Sequence, residues 1–254
     1  PFRHLDDEDY TAACVDDLTQ VFDMMTSGDV AAMIAEPIQG VGGFATPPDG
    51  FFGAMKKELE NRGVLFISDE VQTGWGRTGE HFWGYQAHGI VPDVLTFAKG
   101  VANGLSLGGL VASADLMDSL PGNSLSTFGG NPLSSVGALA TIRYMLKHDI
   151  QGHALRMGER LVGHLQPAVD ESEVVAELRG KGLMRALETV QPGTIEPDAV
   201  AAGRIMEEAR AAGLLIGKGG LYGNVLRIAP PMTVTEEEID EAGTVLAGII
   251  ERLG

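Results

Sequence analysis

The sequence predicts an α/β protein whose larger domain is built on a mainly parallel sheet. Three observations support this fold class. Short, uninterrupted apolar runs recur in the first part of the chain, a helix-like segment separates the first two, and charged residues follow several runs directly. Continuous apolar runs are typical of parallel strands covered on both faces, and a helix between two strands is typical of their crossover connection.

Four runs are predicted strands, and the residues that end them define their carboxyl ends. They span residues 30–35, 64–67, 93–98 and 107–113. Between the first two, apolar residues at helical spacing follow Asp49-Gly50 and end before Gly63, which predicts an amphipathic helix. No first element is predicted for the acidic stretch at residues 6–9.

The second half of the chain predicts two long helices and then a smaller α+β domain. The two long helices cover residues 132–148 and 154–169. After about Ser172 the pattern changes to short strands that alternate with helices. The predicted strands are 174–179, 183–190 and 225–229, and the predicted helices are 198–212 and 236–253. Thr235 and Glu238 have capping-box spacing. The glycine-rich run 217–223 is predicted to be a turn. We expect a large domain over residues 1–150 and a small one over 151–254.

Composition narrows the class of function. The 254 residues carry a formal charge of −17, which disfavours nucleic acid and anionic membranes as partners. Cys14 is the only cysteine, so an internal disulfide and cysteine-based zinc clusters are excluded, and a reducing cytoplasm is the expected location. No apolar run approaches the roughly 20 residues of a membrane helix. The histidines follow no metal-binding pattern, so no metal site is expected.

Charged residues at the strand ends are the main candidates for chemistry. Ligands of open parallel sheets bind at the carboxyl ends of the strands, where Glu36, Asp69 and Lys99 fall. Partial desolvation of the Lys99 amine would favour its neutral, nucleophilic form, although a snorkelling lysine is the alternative. Asp69 needs a cationic partner such as a protonated pyridine nitrogen; the alternative is an Asx turn or a helix cap.

Three further residues are candidates for contacts with a ligand. Gln72 is close enough in sequence to Asp69 to donate to a ring hydroxyl, and Val71 could lie against a ring face. Arg227 lies in the strand-like run 225–228, where a guanidinium is costly unless it meets a carboxylate in bidentate geometry. A structural ion pair is the alternative for this arginine.

Several short strings of this sequence resemble those of class III aminotransferases, in the same order along the chain. The strings are AEPIQG at 35–40, SDEVQTGWGRTG at 68–79, FAKG at 97–100, STFGGNP at 126–132, RGKGLM at 179–184 and LRIAPP at 226–231. Members of that family are pyridoxal-phosphate enzymes of fold type I. Several separate motifs in one order are more specific than any single glycine loop.

The resemblance assigns a role to each matching residue. It implies that Lys99 carries pyridoxal 5'-phosphate as a Schiff base and moves the substrate proton, and that Asp69 keeps the pyridine nitrogen protonated. Val71 and Gln72 would contact the ring and Thr127 the phosphate, the latter across a homodimer interface or within a dimer of dimers. Arg227 would bind the substrate carboxylate, and Glu36 would pair with Arg227 when the second substrate lacks that carboxylate.

The resemblance also implies an activity and an incomplete large domain. The run 214–227 looks most like the alanine–glyoxylate branch, so we expect transfer of an amino group from an amino acid such as alanine to a 2-oxo acid such as glyoxylate or pyruvate. Enzymes of the 4-aminobutyrate or ornithine type, an isomerase of the same class, and a truncated, non-catalytic dimerisation or ligand-binding remnant are the alternatives. The family's N-terminal strands and phosphate cup are absent from these 254 residues.

Overall fold

The computed structural model describes residues 5–254, which form two compact units. The described part of the first unit comprises residues 5–37, Pro47–Gly74 and Trp83–Tyr144, and the second unit comprises Ile38–Thr46, Trp75–Phe82 and Met145–Gly254. Two short segments from the first half of the chain therefore belong to the second unit. The division into domains at residue 150 stays a prediction, since these units divide the chain after Tyr144 and are not contiguous in sequence.

The first unit contains a four-stranded sheet in the order β1-β2-β3-β4. Its strands are β1 (Ala32–Ala35), β2 (Leu65–Asp69), β3 (Val94–Phe97) and β4 (Gly109–Ala112). The first three are parallel, and β4 is antiparallel to β3. The predicted mainly parallel sheet is therefore confirmed, with β1, β3 and β4 shorter than their apolar runs and β2 extended at its end to include Asp69.

The helices of the first unit begin with one that the sequence analysis did not predict. They are α1 (Asp7–Met25), α2 (Phe51–Asn61), α3 (Ala114–Asp118) and α4 (Pro132–Lys147), and the last three residues of α4 belong to the second unit. The expectation of no element in the acidic stretch is wrong, because Asp6 caps α1 by accepting the Asp9 N–H at 3.0 Å and acidic residues favour a helix N-terminus. Phe22 of α1 packs with Phe52 and Leu59 of α2 in a buried apolar cluster.

The second unit contains an antiparallel four-stranded sheet in the order β5-β6-β8-β7. Its strands are β5 (Val175–Lys181), β6 (Met184–Thr189), β7 (Gly217–Gly219) and β8 (Val225–Ile228). The prediction of a turn across residues 217–223 is wrong for its first part, because β7 pairs with β8 and places Gly217 opposite Arg227. Glycines form this strand although their intrinsic preference is weak.

Three helices complete the second unit and supply most of its core. They are α5 (Ile150–Asp170), α6 (Ala199–Ala211) and α7 (Glu236–Leu253). Leu161 and Leu165 of α5 and Leu246 of α7 are fully buried in one apolar cluster. The predicted capping box of α7 is present, since Glu238 accepts the Thr235 N–H at 2.8 Å and Thr235 accepts the Glu238 N–H at 3.2 Å. Across residues 5–254, no helix combines the length and apolarity needed to cross a membrane.

Candidate active site

The carboxyl edge of the first sheet brings the predicted charged residues into one neighbourhood. Ala35, at the end of β1, is the register partner of Ser68, and Asp69, at the end of β2, is the partner of Thr96 in β3. Because the three strands are parallel, Glu36 after β1, Asp69 in β2 and Lys99 after β3 all lie at the same edge of this sheet. Ligands of open α/β sheets bind at this edge.

Asp69 ends its strand in a turn that places the next two candidates beside it. The residue is half-buried, and its Oδ1 accepts the backbone N–H of Val71 at 3.1 Å. This contact is the Asx turn that the sequence analysis kept open as an alternative. It uses one acceptor position of the carboxylate, so the turn and the binding of a cation by the remaining positions are compatible. Val71 and Gln72 are both half-buried.

Lys99 occupies a backbone conformation that is rare for a residue with a side chain. Its φ is 44°, and it starts the short 3₁₀ segment Lys99–Ala102 directly after β3. Such left-handed, non-glycine residues are concentrated at functional sites. The residue is exposed, so the predicted partial desolvation of its amine is wrong for this chain. Within β3 only Leu95 is buried, so the burial of this strand does not extend to Lys99 after it.

Glu70 is a structural anchor of this edge that the sequence analysis missed. Its side chain is fully buried. Oε1 accepts hydrogen bonds from the Ser68 hydroxyl at 3.2 Å and the Tyr85 N–H at 2.7 Å, while Oε2 accepts from the Thr73 hydroxyl at 2.6 Å and the Gly84 N–H at 2.8 Å. Burial raises the pKa of Glu70 above its ordinary value, and these donors oppose that shift.

These hydrogen bonds tie the turn after β2 to the distant start of a second 3₁₀ segment, Gly84–His88. The turn is thereby fixed on both sides of Val71 and Gln72. The only sequence signal for the anchoring role of Glu70 is its position as an acidic residue directly after Asp69 in an apolar context. The sequence does not reveal which groups donate hydrogen bonds to the Glu70 carboxylate.

Thr127 lies in a segment with unusual exposure. Every residue from 121 to 130 is exposed, including Leu125 at 91% and Phe128 at 81%. Large apolar side chains in such a segment are typical of a surface that contacts another molecule. The contact of Thr127 with a cofactor phosphate in a partner subunit stays a prediction.

Arg227 lies in β8 of the second unit, where the sequence analysis placed it in a strand. Its Nη1 donates to the Gly40 carbonyl at 3.3 Å and its Nη2 to the Lys218 carbonyl at 3.2 Å. Its Nε is buried without a hydrogen-bond partner among residues 5–254. Glu36 belongs to the first unit, so the predicted exchange between Glu36 and Arg227 stays a prediction.

A second arginine that the sequence analysis did not single out organises the segment after the Asp69 turn. Arg77 is half-buried, and its Nη1 donates to the carbonyls of Leu183 at 3.3 Å and Pro230 at 2.7 Å. Burial lowers the pKa of this guanidinium below its ordinary value. These contacts connect parts of the second unit that are far apart in sequence.

The described residues contain no group of three or more His, Cys, Asp or Glu side chains that could hold a metal ion. At the carboxyl edge of the first sheet, Asp69 ends β2, an anchored turn follows it, and Lys99 follows the neighbouring parallel strand β3. A primary amine and a carboxylate are groups that a cofactor with an aldehyde and a cationic ring nitrogen would require of a protein.

Comparison with known proteins identifies the family. Residues 2–250 match the family described as Aminotransferase class-III, and the chain belongs to it. It is 39% identical over 226 residues to alanine–glyoxylate aminotransferase 2 homolog 2, mitochondrial, from Arabidopsis thaliana, a match that covers 88% of this chain and 47% of the relative. Alanine/serine racemase from Pyrococcus horikoshii is also 39% identical, over 223 residues, with 88% and 47% coverage.

A solved structure supports the fold. The amine transaminase from an uncultivated Pseudomonas species, in its PLP-bound form, aligns with a TM-score of 0.88 and 34% identity over 98% of this chain and 58% of its own. The predicted PLP-dependent transferase fold, fold type I, is thereby confirmed. The chain spans about half the length of the curated relatives that it matches.

Proposed function

We propose that this chain contributes the lysine, the ring-nitrogen carboxylate and the substrate arginine of a pyridoxal-phosphate-dependent aminotransferase. The observation that carries the proposal is the shared edge of β2 and β3, where Asp69 ends one strand and Lys99 follows the other. Membership of the aminotransferase family and the PLP-bound state of a similar transaminase support it.

The residues present fit this cofactor on chemical grounds. The Asp69 carboxylate retains acceptor capacity beyond its bond to Val71, as a partner of a protonated pyridine nitrogen requires. Lys99 is a primary amine that is accessible to an aldehyde. When bound, pyridoxal phosphate supplies an electron sink for charge that develops at the substrate's α-carbon.

Each protein group then has a defined task. Asp69 would hold a proton on the ring nitrogen, and the Lys99 amine would move a proton from the substrate's α-carbon to the aldehyde carbon of the cofactor. Gln72 donates to the ring hydroxyl, and Val71 covers one ring face. Arg227 orients the substrate through its carboxylate, and Thr127 of a second copy binds the phosphate. A homodimer is therefore part of the proposal.

We further propose alanine as the amino donor and glyoxylate or pyruvate as the acceptor, in the cytoplasm. Similarity to the Arabidopsis enzyme over most of this chain supports the donor. Racemisation of alanine or serine is the second candidate, because the equally similar Pyrococcus protein carries that name.

A half-reaction distinguishes the two activities. The chain is loaded with pyridoxal phosphate and mixed with L-alanine without an acceptor, and pyruvate and D-alanine are measured. An aminotransferase produces pyruvate in amounts up to the cofactor present, whereas a racemase produces D-alanine beyond that amount. Parallel reactions with 4-aminobutyrate and ornithine test the other donors, and a chain that yields no product with any donor contradicts the proposal.

A further inference from the structure

Arg227 is held by neutral groups. Its two hydrogen bonds go to the carbonyl oxygens of Gly40 and Lys218, at 3.3 and 3.2 Å. Carbonyl dipoles orient a guanidinium but do not neutralise its charge. An arginine that binds a ligand carboxylate has to keep both a fixed plane and an uncompensated charge, because bidentate pairing depends on both.

Phe44 supplies a further contact of the Arg227 guanidinium. The Arg227 Cζ lies 5.7 Å from the centroid of the Phe44 ring, within the range of a cation–π interaction. The ring is 3% exposed and packs in a buried cluster with Ile38, Met184, Ala186 and Val225. A ring fixed in this way acts as a rigid platform for the guanidinium.

The backbone at Phe44 is held in a costly conformation by its surroundings. Its φ is 50°, in the left-handed region that non-glycine residues rarely adopt. The preceding carbonyl, of Gly43, accepts from Arg179 Nε at 3.1 Å and Nη2 at 2.8 Å, and Arg179 is in turn paired with the buried carboxylate of Glu188. Strain of this kind persists where neighbouring contacts determine the conformation, and it is concentrated at functional sites.

The backbone at Gly43 packs closely against its neighbours, with no space for a side chain. A Cβ at this position would lie 3.0 Å from Val225 Cγ2 and 3.1 Å from Gly220 Cα. The segment that carries Phe44 therefore lies directly against the strand that carries Arg227. Its position follows from packing and from the Arg179 anchor, and not from the cation–π contact alone.

We propose that Phe44 is a positioning residue for Arg227, whose ring holds the plane of the guanidinium and leaves its charge for the carboxylate of the substrate. This inference rests on the proposed role of Arg227 as the carboxylate-binding residue. It predicts that the electron density of the ring, and not merely its volume, determines how tightly a carboxylate binds.

The test replaces Phe44 by phenylalanines with one, two and three ring fluorines, which preserve the shape of the ring and progressively weaken its negative face. Pyruvate is titrated into each ¹⁵N-arginine-labelled chain, and its Kd is read from the Nε–Hε signal of Arg227. The same trifluorinated residue at Phe66, which is buried in the other unit, is the matched control. Arg227→Gln, with pyruvate followed by calorimetry, tests the arginine itself.

We expect the Kd of pyruvate to rise stepwise with fluorine number, by about threefold to tenfold at three fluorines, because a cation–π interaction has that magnitude. The Phe66 control is expected to leave the Kd unchanged. A flat fluorine series together with weakened binding by Arg227→Gln overturns the role of Phe44 alone. Pyruvate binding that survives Arg227→Gln overturns both this inference and the proposed role of Arg227.

Discussion

Asp69 and Thr96 are register partners in adjacent parallel strands, and this pairing places the carboxylate of β2 at the same sheet edge as Lys99. The relationship depends only on strand direction and register. A register shift of one residue would move every side chain along the strand to the opposite face of the sheet. The observed pairing brings residues that are far apart in sequence to one edge of the sheet, as the proposed cofactor site requires. The buried carboxylate of Glu70 then fixes the turn that follows Asp69.

Asp69→Asn separates charge from structure at this edge. The asparagine keeps an oxygen that can accept the Val71 N–H, so we expect a change of about 1 kcal/mol or less in the free energy of unfolding. The loss of charge removes the partner of a protonated ring nitrogen, so transamination should fall by about 100-fold or more. Urea unfolding and the alanine half-reaction measure the two effects. A variant with full activity would exclude the proposed role of Asp69.

Glu70→Gln tests the anchor behind Asp69. Both carboxylate oxygens accept a backbone N–H, so an amide nitrogen in either position would face another donor. We expect a loss of about 1.5–3 kcal/mol in unfolding free energy, as for a buried hydrogen bond to a charged group. Glu60→Gln is the control, since Glu60 is exposed and pairs only at the surface with Lys56. Equal effects of the two substitutions would refute the anchoring role.

Gly219→Ala tests the space beside Arg227, the proposed substrate-binding arginine. A Cβ at this position would lie 2.8 Å from Arg227 Nε and 3.0 Å from the Val41 carbonyl, so either the guanidinium or the backbone must move. We expect about 1–3 kcal/mol of destabilisation and weaker pyruvate binding. Gly163→Ala meets no atom within 4 Å in α5 and should be neutral or stabilising. Unchanged pyruvate binding by Gly219→Ala would contradict the geometry.

The pairing of α5 with α7 predicts a pH dependence of stability. Asp240 accepts from Arg160 Nε and Nη2 at 2.6 and 2.7 Å and lies 2.8 Å from His164 Nε2. Hydrogen bonding to Arg160, and then to His164, lowers the pKa of Asp240 below its ordinary value of 3.8. A carboxyl group with a lowered folded pKa stabilises the fold above its unfolded pKa, and this contribution is lost as the pH falls through the folded pKa.

The stability difference between the wild type and Asp240→Asn should therefore shrink as the pH falls below about 3.8. Urea unfolding across this range measures the difference, and carboxyl ¹³C shifts of Asp240 report its titration directly. A titration midpoint above 3.8 would reverse the sign of this prediction.

Local sequence patterns were sufficient to predict the parallel strands and the charged residues at their ends. The apolar run before Asp69 and the one before Lys99 are sufficient to specify parallel strands, and the direction of these strands then specifies the shared edge. The capping box at Thr235 is likewise a local signal, and the structure confirms it.

The features that the sequence analysis missed depend on contacts between distant residues. β7 is a strand because Gly217 pairs with Arg227, which overrides the weak strand preference of glycine. The role of Glu70 depends on the N–H groups of Gly84 and Tyr85, which are brought to it only by folding. The exposure of Lys99 depends on which segments cover the sheet edge, and the apolar strand before Lys99 gives no information about those segments.

Covalent trapping at Lys99 tests the central claim most directly. The 254-residue chain is incubated with pyridoxal phosphate, reduced with borohydride and digested, and the modified peptides are identified by mass spectrometry. We expect one pyridoxyl adduct, on Lys99, that is lost in Lys99→Ala and unaffected by Lys57→Ala, which removes another exposed lysine. Absent labelling, or labelling spread over several lysines, would contradict the assignment of Lys99 as the cofactor lysine of this chain.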